Sequence, residues 1–307
     1  MGRQPHVLVI PYPAQGHVMP LMKLSMKIAE HGVKVTFVIT EFIESKIMAS
    51  MPEKAWWSQI IRFVSIPDGL EGEDDRKDAA KTRETMLRVM PGHLKNLIDK
   101  VNQSNDCEQI KCVLADTSVG WVLEVAKKMG IPGTAVTPAG PGGMALSQHI
   151  PKLIEAGIID TNGNPMSDEL ISLSSKETLA WKANELTWSC PSDPNIQKII
   201  FEYASSTVQT YRNSNWVLCN SFNELDPWAC DLVPNMLTIG PLLAKLKPDN
   251  NGIITRHELE TKIKTLLIDD AIKANALKLK EMARNSLAQG GSSFLNFQTF
   301  IAQIFNY

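Results

Sequence analysis

The feature that most constrains this chain is a repeated alternation of short β-branched runs with longer stretches of helical periodicity. The first run, residues 6–11, is continuously apolar, as expected for a strand buried on both faces of a sheet. The other runs of this kind occupy residues 33–40, 61–66, 111–115, 133–137, 216–220 and 237–241. Such alternation predicts a doubly wound, mostly parallel, Rossmann-like α/β sheet with helices on both faces.

Helical periodicity predicts the elements between these strands, with Gly32 and Gly130 as stop signals. The expected helices cover residues 20–31, 40–51, 81–103, 119–129, 144–156 and 195–212, and beyond residue 251 residues 255–267, 270–289 and 292–305. Pro91 is expected to interrupt the third helix, because proline lacks the N–H that a helix interior needs. Residues 158–194 show no clear period and are expected to be irregular.

Composition excludes several classes of protein. The 307 residues carry a net charge of −2, so a basic footprint for nucleic acid is absent from the sequence. No apolar run reaches membrane-spanning length, and the N-terminus lacks the long apolar stretch of a signal peptide. The 5 cysteines form no Cys-x-x-Cys pair, which is typical of reduced thiols. We therefore expect a cytoplasmic protein with no nucleic-acid partner and no membrane span.

Two residues suit acid–base chemistry at one edge of the predicted sheet. His17 follows the first strand, in a loop where Gly16 permits a tight turn. An imidazole titrates near neutral pH and suits general-base work on a hydroxyl. Asp116 follows the strand at residues 111–115, and its carboxylate would hold the imidazole tautomer if the two meet. The alternatives stay open: a surface histidine in a loop, and an aspartate that caps the next helix.

Motifs for other chemistries are missing. The loop after the first strand has no Gly-x-Gly-x-x-Gly, and the chain contains no Walker-type Gly-Lys-Ser/Thr and no Gly-x-Ser-x-Gly. It also contains no His-x-x-x-His and no Asp-x-Asp, so no metal site is predicted. Five larger apolar side chains are candidates for an adaptable acceptor pocket. For each of them, packing in the core is the alternative interpretation. These side chains are Met86, Met90, Trp121, Met144 and Trp188.

Several segments resemble one known family, the plant family-1 UDP-glycosyltransferases. Residues 6–20 (HVLVIPYPAQGHVMP) and 114–126 (LADTSVGWVLEVA) resemble its N-terminal motifs. Residues 216–226 (WVLCNSFNELD) and 237–243 (LTIGPLL) resemble the segments that close its N-terminal domain. Residues 252–305, which include GIITR and GGSSFLNF, resemble its extreme C-terminal helices. The resemblance covers nearly the whole chain.

The resemblance implies one half of a GT-B fold, in which two Rossmann-like domains enclose a cleft. Residues 1–243 would form the acceptor-binding domain, residues 244–252 a junction, and residues 253–307 helices, the last of which packs back on the N-terminal domain. His17 falls on the family's general base and Asp116 on its carboxylate partner, for inverting transfer without a metal. The acceptor pocket would include Ser118, Trp121, Pro138, Met144 and Leu146.

The chain departs from the family where the donor should bind. The family's C-terminal signature, which holds UDP and the sugar, is missing, and only 307 − 252 = 55 residues follow Gly252. A Rossmann-like domain needs on the order of 100 residues. The donor domain is therefore expected to be absent, so this chain is expected to bind no cofactor, and UDP-sugar is the family's donor substrate.

Three hypotheses follow from these observations. In the first, the chain is the acceptor-binding half of a truncated UDP-glycosyltransferase of plant secondary metabolism. It would have little or no activity alone, because the donor must be held for in-line attack, and a donor domain would act in trans. In the second, it is a non-catalytic binding module for a small hydrophobic hydroxyl compound of flavonoid or terpenoid type. In the third, a face left exposed leads the chain to self-associate.

Overall fold

A parallel sheet organises the protein. The computed structural model describes residues 4–50, 60–71, 76, 78–103, 109–167, 169–173, 180–242 and 270–306. The sheet strands are β1 (His6–Ile10), β2 (Lys34–Thr40), β3 (Arg62–Ile66), β4 (Ile110–Asp116), β5 (Gly133–Thr137), β8 (Trp216–Cys219) and β9 (Met236–Thr238). Within the described residues they form a seven-stranded sheet in the order β3-β2-β1-β4-β5-β8-β9, with every pairing parallel. The predicted doubly wound α/β class is confirmed.

Helices cover both faces of this sheet. They are α1 (Gln15–Glu30), α2 (Glu41–Ser50), α3 (Ala79–Gln103), α4 (Trp121–Lys128), α5 (Pro141–Glu155), α6 (Pro194–Arg212), α7 (Pro227–Leu232), α8 (Asp270–Leu287) and α9 (Ser292–Asn306). The linker expected at residues 244–252 and the helix expected at residues 255–267 lie outside the described residues.

The strands divide the core into two layers because successive side chains point to opposite faces. On β1, Leu8 and Ile10 join the layer that contains residues of α3 and α4. Val7 and Val9 join the other layer, which α1 and α9 cover. The central strands are fully buried, which explains why their sequences are continuously apolar rather than alternating.

The expected interruption at Pro91 is wrong, since α3 is one continuous helix of 25 residues. Proline removes the hydrogen bond to the carbonyl four residues earlier, which belongs to Leu87. Leu87 is 42% exposed, so water can reach this part of the helix. The lost bond therefore costs less than it would in a buried turn.

Residues 158–194 are less irregular than expected. Strands β6 (Ile171–Ser172) and β7 (Ala180–Trp181) pair as a short antiparallel ladder. The stretch packs on α5 and α6 through its own apolar cluster, in which Trp188 is fully buried. Helix α7 was also not predicted, because its six residues are too few to show a period.

The two C-terminal helices differ in their contacts. Helix α9 lies against the sheet with Phe300 and Ile304 fully buried, and Asn296 donates a hydrogen bond to the Thr238 carbonyl at 2.9 Å. Helix α8 is largely exposed over its described side chains, including Leu277 and Leu279. The chain thus ends with one helix in the core and one helix beside it.

Candidate functional site

The site lies where the strand order reverses. Strand β1 pairs with β2 on one side and with β4 on the other. The chain builds β1, β2 and β3 outward in one direction and then crosses back to β4, so the two halves of the sheet meet between β1 and β4. Connections leave these two strands in opposite directions, which opens a crevice at their carboxyl ends. The register pairs Ile10 with Ala115, so the segment after Ile10 and the residue Asp116 meet at this crevice.

His17 lies at the start of α1 rather than in a loop, which corrects the sequence-based expectation. Ala14 occupies the N-cap, and its carbonyl accepts the His17 backbone N–H at 2.9 Å. The helix therefore begins five residues earlier than predicted, with Pro20 inside it. The carbonyl that Pro20 leaves without an N–H partner belongs to Gly16, which is exposed to water.

Asp116 is the last residue of β4 and its side chain is fully buried. One carboxylate oxygen, Oδ2, lies 2.7 Å from Nδ1 of His17. The other oxygen, Oδ1, accepts the backbone N–H of Ser118 at 2.8 Å and caps the short 3₁₀ turn Thr117–Val119. The same carboxylate thus contacts His17 and caps the 3₁₀ turn, whereas the N-cap of the following helix α4 is Gly120 and not Asp116 as the sequence suggested.

This geometry fixes which imidazole nitrogen faces outward. A buried carboxylate needs hydrogen-bond donors on both oxygens, and Nδ1–H of His17 supplies one of them. The Nε2 atom then carries the lone pair, and within the described part of the chain no residue bonds to it. The His17 side chain is 30% exposed, so a hydroxyl can approach Nε2 while the Asp116 side stays dry. Such a pair can accept a proton and stabilise the resulting imidazolium.

A cavity of about 210 Å³ lies beside the pair, between α3, α6 and the segment that opens α4. Tyr12 connects the two features, because it lines the cavity and its ring centroid lies 5.2 Å from that of His17. Ser118 also lines the cavity while it bonds to Asp116. Gly120 forms part of the wall, and its lack of a Cβ lets Thr210 of α6 approach closely. The cavity therefore adjoins the pair without including His17.

The structure brings together only some of the residues expected in an acceptor pocket. Met86, Ser118 and Trp121 line the cavity. Met90 and Met144 are buried in the core layer next to it. The remaining three residues are outside the cavity lining. The carbonyl of Pro138 accepts a hydrogen bond from the Asn220 side chain. Leu146 and Trp188 belong to the apolar cluster between α5 and α6. An acceptor-binding role for each of these residues stays a prediction.

The wall that α6 supplies shows no pattern in the sequence that predicts it. Tyr203 lines the cavity, and its ring packs edge-on against Tyr12 at 6.2 Å between centroids. Burial, together with its hydrogen bond to Tyr12, raises the pKa of the Tyr203 hydroxyl, so this hydroxyl stays protonated. The Arg83 guanidinium lies 5.3 Å from the Tyr203 ring centroid and 3.6 Å from Glu202. The signal in the sequence that could have indicated the cavity is Tyr12, because it lies in the same motif as His17.

The described residues were also compared with the requirements of a metal site and of a membrane-spanning helix. Over these residues, no group of three or more His, Cys, Asp or Glu side chains comes together as metal ligands. No helix in the same part of the chain has the length and apolarity to cross a membrane.

The fold defines an α/β protein of the doubly wound, Rossmann-like type, with its candidate site at a topological switch point. A family model described as "Glycosyltransferase, N-terminal domain" matches residues 4–63. UDP-glycosyltransferase 83A1 of Arabidopsis thaliana is 40% identical over 247 residues, which cover 79% of this chain and 53% of that protein. (R)-mandelonitrile beta-glucosyltransferase of Prunus dulcis is 27% identical, with 78% of this chain and 52% of that protein covered.

Solved structures share the fold. Os79 from O. sativa, in complex with U2F and trichothecene, superposes with a TM-score of 0.70 at 15% identity, covering 97% of this chain and 100% of that chain. The chain belongs to the plant UDP-glycosyltransferase family. It spans about half the length of the curated relatives it matches.

Proposed function

We propose that this chain is the acceptor-binding half of an inverting, UDP-sugar-dependent glycosyltransferase that acts on hydroxyl groups of small hydrophobic molecules. The observation that carries the proposal is the 2.7 Å contact between His17 Nδ1 and the buried Asp116 carboxylate, at the switch point and beside a cavity. The names of its relatives, UDP-glycosyltransferase and beta-glucosyltransferase, describe the same class of transfer.

In the proposed reaction, His17 Nε2 takes the proton from the acceptor hydroxyl while Asp116 holds Nδ1–H and stabilises the imidazolium. The acceptor oxygen attacks the anomeric carbon of the sugar, the bond from that carbon to the UDP oxygen breaks, and the configuration at the carbon inverts. UDP leaves with the electron pair of the broken bond. Positioning the two reactants supplies much of the rate enhancement, so a donor that is not held reacts poorly.

The isolated chain is therefore proposed to have little or no transfer activity, and a donor-binding domain is proposed to act in trans. The test is transfer of radiolabelled sugar from UDP-glucose to a panel of phenols. The chain would be assayed alone and together with the C-terminal half of UDP-glycosyltransferase 83A1. We expect product only when both halves are present. Robust turnover by the chain alone would contradict the proposed inactivity.

A second function, a non-catalytic binding module, is favoured by one observation: the cavity is formed by this chain's own described residues. Saturable acceptor binding without transfer, even with the donor half supplied, would support this alternative. Absence of both binding and transfer would contradict both proposals.

A further inference from the structure

The space between the walls of the cavity, which is open to water on one side, bears on the size of acceptor that it can hold. An engineered apolar cavity of about 150 Å³ is known to bind benzene, which has six carbon atoms. By that standard, the cavity of about 210 Å³ holds about eight or nine non-hydrogen atoms. One aromatic ring with a short substituent reaches this size. A three-ring flavonol far exceeds it.

The walls of the cavity suit an aromatic ring. Tyr12, Trp121 and Tyr203 come from three different elements, and each is half-buried. Aromatic rings attract one another in tilted and edge-to-face arrangements, as Tyr12 and Tyr203 already do at 87° between their planes. Met86 adds a buried thioether, which adapts to ring edges. A flat ring would thus be in contact with apolar surface on several sides.

The charges of the lining favour a neutral ligand. Its two ionisable side chains of opposite sign are Arg83 and Glu124. Arg83 already has Glu202 at 3.6 Å and the Tyr203 ring beneath it. A carboxylate on the ligand would therefore meet no unpaired cation, and it would lie in the same cavity as the Glu124 carboxylate.

The position of the reacting pair gives the ligand a direction. Tyr12 and Ser118 mark the end of the cavity next to His17 and Asp116. The exposed side chains of Glu124 and Gln209 lie where water reaches the cavity, so a short polar substituent can bond there. A larger acceptor would press its additional rings against the Glu124 carboxylate and the Gln209 amide, which would lose contact with water and gain no partner.

From these four observations we infer that the acceptor is a neutral, single-ring phenol or aryl alcohol, with its reacting hydroxyl at the Tyr12 end and any polar tail toward Glu124 and Gln209. This inference rests on the proposed acceptor-binding function and narrows it. Flavonols and aryl carboxylates are excluded as preferred ligands.

The experiment measures binding to the full chain by isothermal titration calorimetry. The probes are 4-hydroxybenzyl alcohol, 4-hydroxybenzoate and a three-ring flavonol. We expect the neutral single-ring compound to bind at least tenfold more tightly than either of the others. A flavonol that binds more tightly than the single-ring alcohol would overturn the inference but leave the acceptor-binding function standing. If none of the three binds, the proposed acceptor-binding function fails as well.

Two variants locate the binding site. Ser206→Phe places a ring into the cavity from an exposed position of α6 and should abolish binding of 4-hydroxybenzyl alcohol. Lys198→Phe adds the same ring to an exposed position of α6 that is outside the cavity lining, and should leave the affinity unchanged. Unchanged affinity in a folded Ser206→Phe protein would overturn the assignment of the cavity.

A widened cavity gives an independent check if the Ser206→Phe protein does not fold. Met86→Ala removes part of one buried wall, so the preference for the single-ring compound over the flavonol should fall several-fold. A preference that stays the same in this variant would contradict the size limit.

Discussion

The same strands form both faces of the sheet, but the helices cover the two faces differently. On one face, α9 covers the strands and buries Phe297, Phe300 and Ile304 in a layer shared with α1. On the other face, α3, α4 and α6 leave a cavity of about 210 Å³ whose lining includes Tyr12 and Trp121. One face is thus closed by the last helix of the chain, and the other keeps space for a ligand.

This difference separates residues that hold the fold from residues that are proposed to do chemistry. Removing atoms from a close-packed layer lowers the stability of the fold. A side chain in a cavity wall has packing partners on only one side, so its removal should lower the stability less. The His17–Asp116 pair lies at the sheet edge where the two faces meet, with His17 on α1 and Ser118 toward the cavity. Substitutions on the two faces should therefore affect different measurements.

The largest effect is expected at the pair itself. Asp116→Asn keeps the size of the side chain but lets its amide donate to Nδ1, so the proton moves to Nε2 and the base is lost. With a donor half supplied in trans, transfer should fall roughly 10³–10⁴-fold. The assay is initial-rate transfer of radiolabelled sugar, and affinity for the acceptor serves as the control. A loss of less than tenfold would argue against the role of Asp116.

The next effect concerns the closed face. Phe300→Ala removes a fully buried ring from the layer under α9 and should lower the free energy of unfolding by roughly 3–4 kcal/mol. Leu295→Ala, on the same helix at a position 53% exposed, should change it by less than about 0.5 kcal/mol. Urea denaturation followed by circular dichroism measures both. Equal effects of the two substitutions would show that α9 does not pack on the sheet in solution.

A smaller effect should appear as a pH dependence of the closed face. Burial raises the pKa of the Cys112 thiol to about 12, above the value of roughly 8.5 for a free cysteine. The unfolded chain loses this proton at lower pH than the folded chain does, so stability falls as pH rises above about 9. Between about pH 8 and pH 10 the thiol should account for about 1–2 kcal/mol of that loss.

The measurement compares urea denaturation of the native chain and of Cys112→Ala at these two pH values. The variant should lose less stability on going to the higher pH, whatever its stability at the lower one. Cys190→Ala, at a partly exposed site, is the matched control. Identical pH dependence in all three proteins would mean that water reaches Cys112.

The smallest effect is expected at the rim of the closed face. The Lys27 ammonium lies 5.5 Å from the centroid of Phe297, so α1 and α9 touch there through a cation and a ring. Lys27→Met should lower the free energy of unfolding by about 0.5–1 kcal/mol, measured by urea denaturation. Lys23→Met, one turn earlier on α1, is the control. A larger loss in the control would contradict this contact.

The sequence was sufficient to predict the sheet and the meeting of His17 with Asp116, because both follow from the topology of a parallel sheet. Parallel strands end at a common edge, so residues after β1 and at the end of β4 were expected to meet, and His17 and Asp116 do meet. Their catalytic roles remain proposals. The start of α1 was misplaced because Pro20 was taken as a beginning, although proline is also tolerated where the preceding turn is exposed to water.

The cavity was not predictable in the same way. Its lining depends on how α6 packs across α3 and α4, and the helical period of α6 gives no information about its neighbours. Tyr203 and Thr210 look like ordinary helix residues in the sequence, yet both line the cavity. Conversely, Leu146 and Trp188 have the apolar character of pocket residues and pack in a separate cluster. Apolar composition alone does not distinguish a pocket from a core.

The most direct test of this account is the protonation state of His17, read from a long-range ¹H–¹⁵N NMR spectrum in mildly alkaline buffer and assigned with His17→Gln. If Asp116 orients His17 as proposed, the spectrum will show the tautomer with its proton on Nδ1, and that proton will move to Nε2 in Asp116→Asn. A ring protonated at Nε2 in the native chain, or one unaffected by Asp116→Asn, would contradict it.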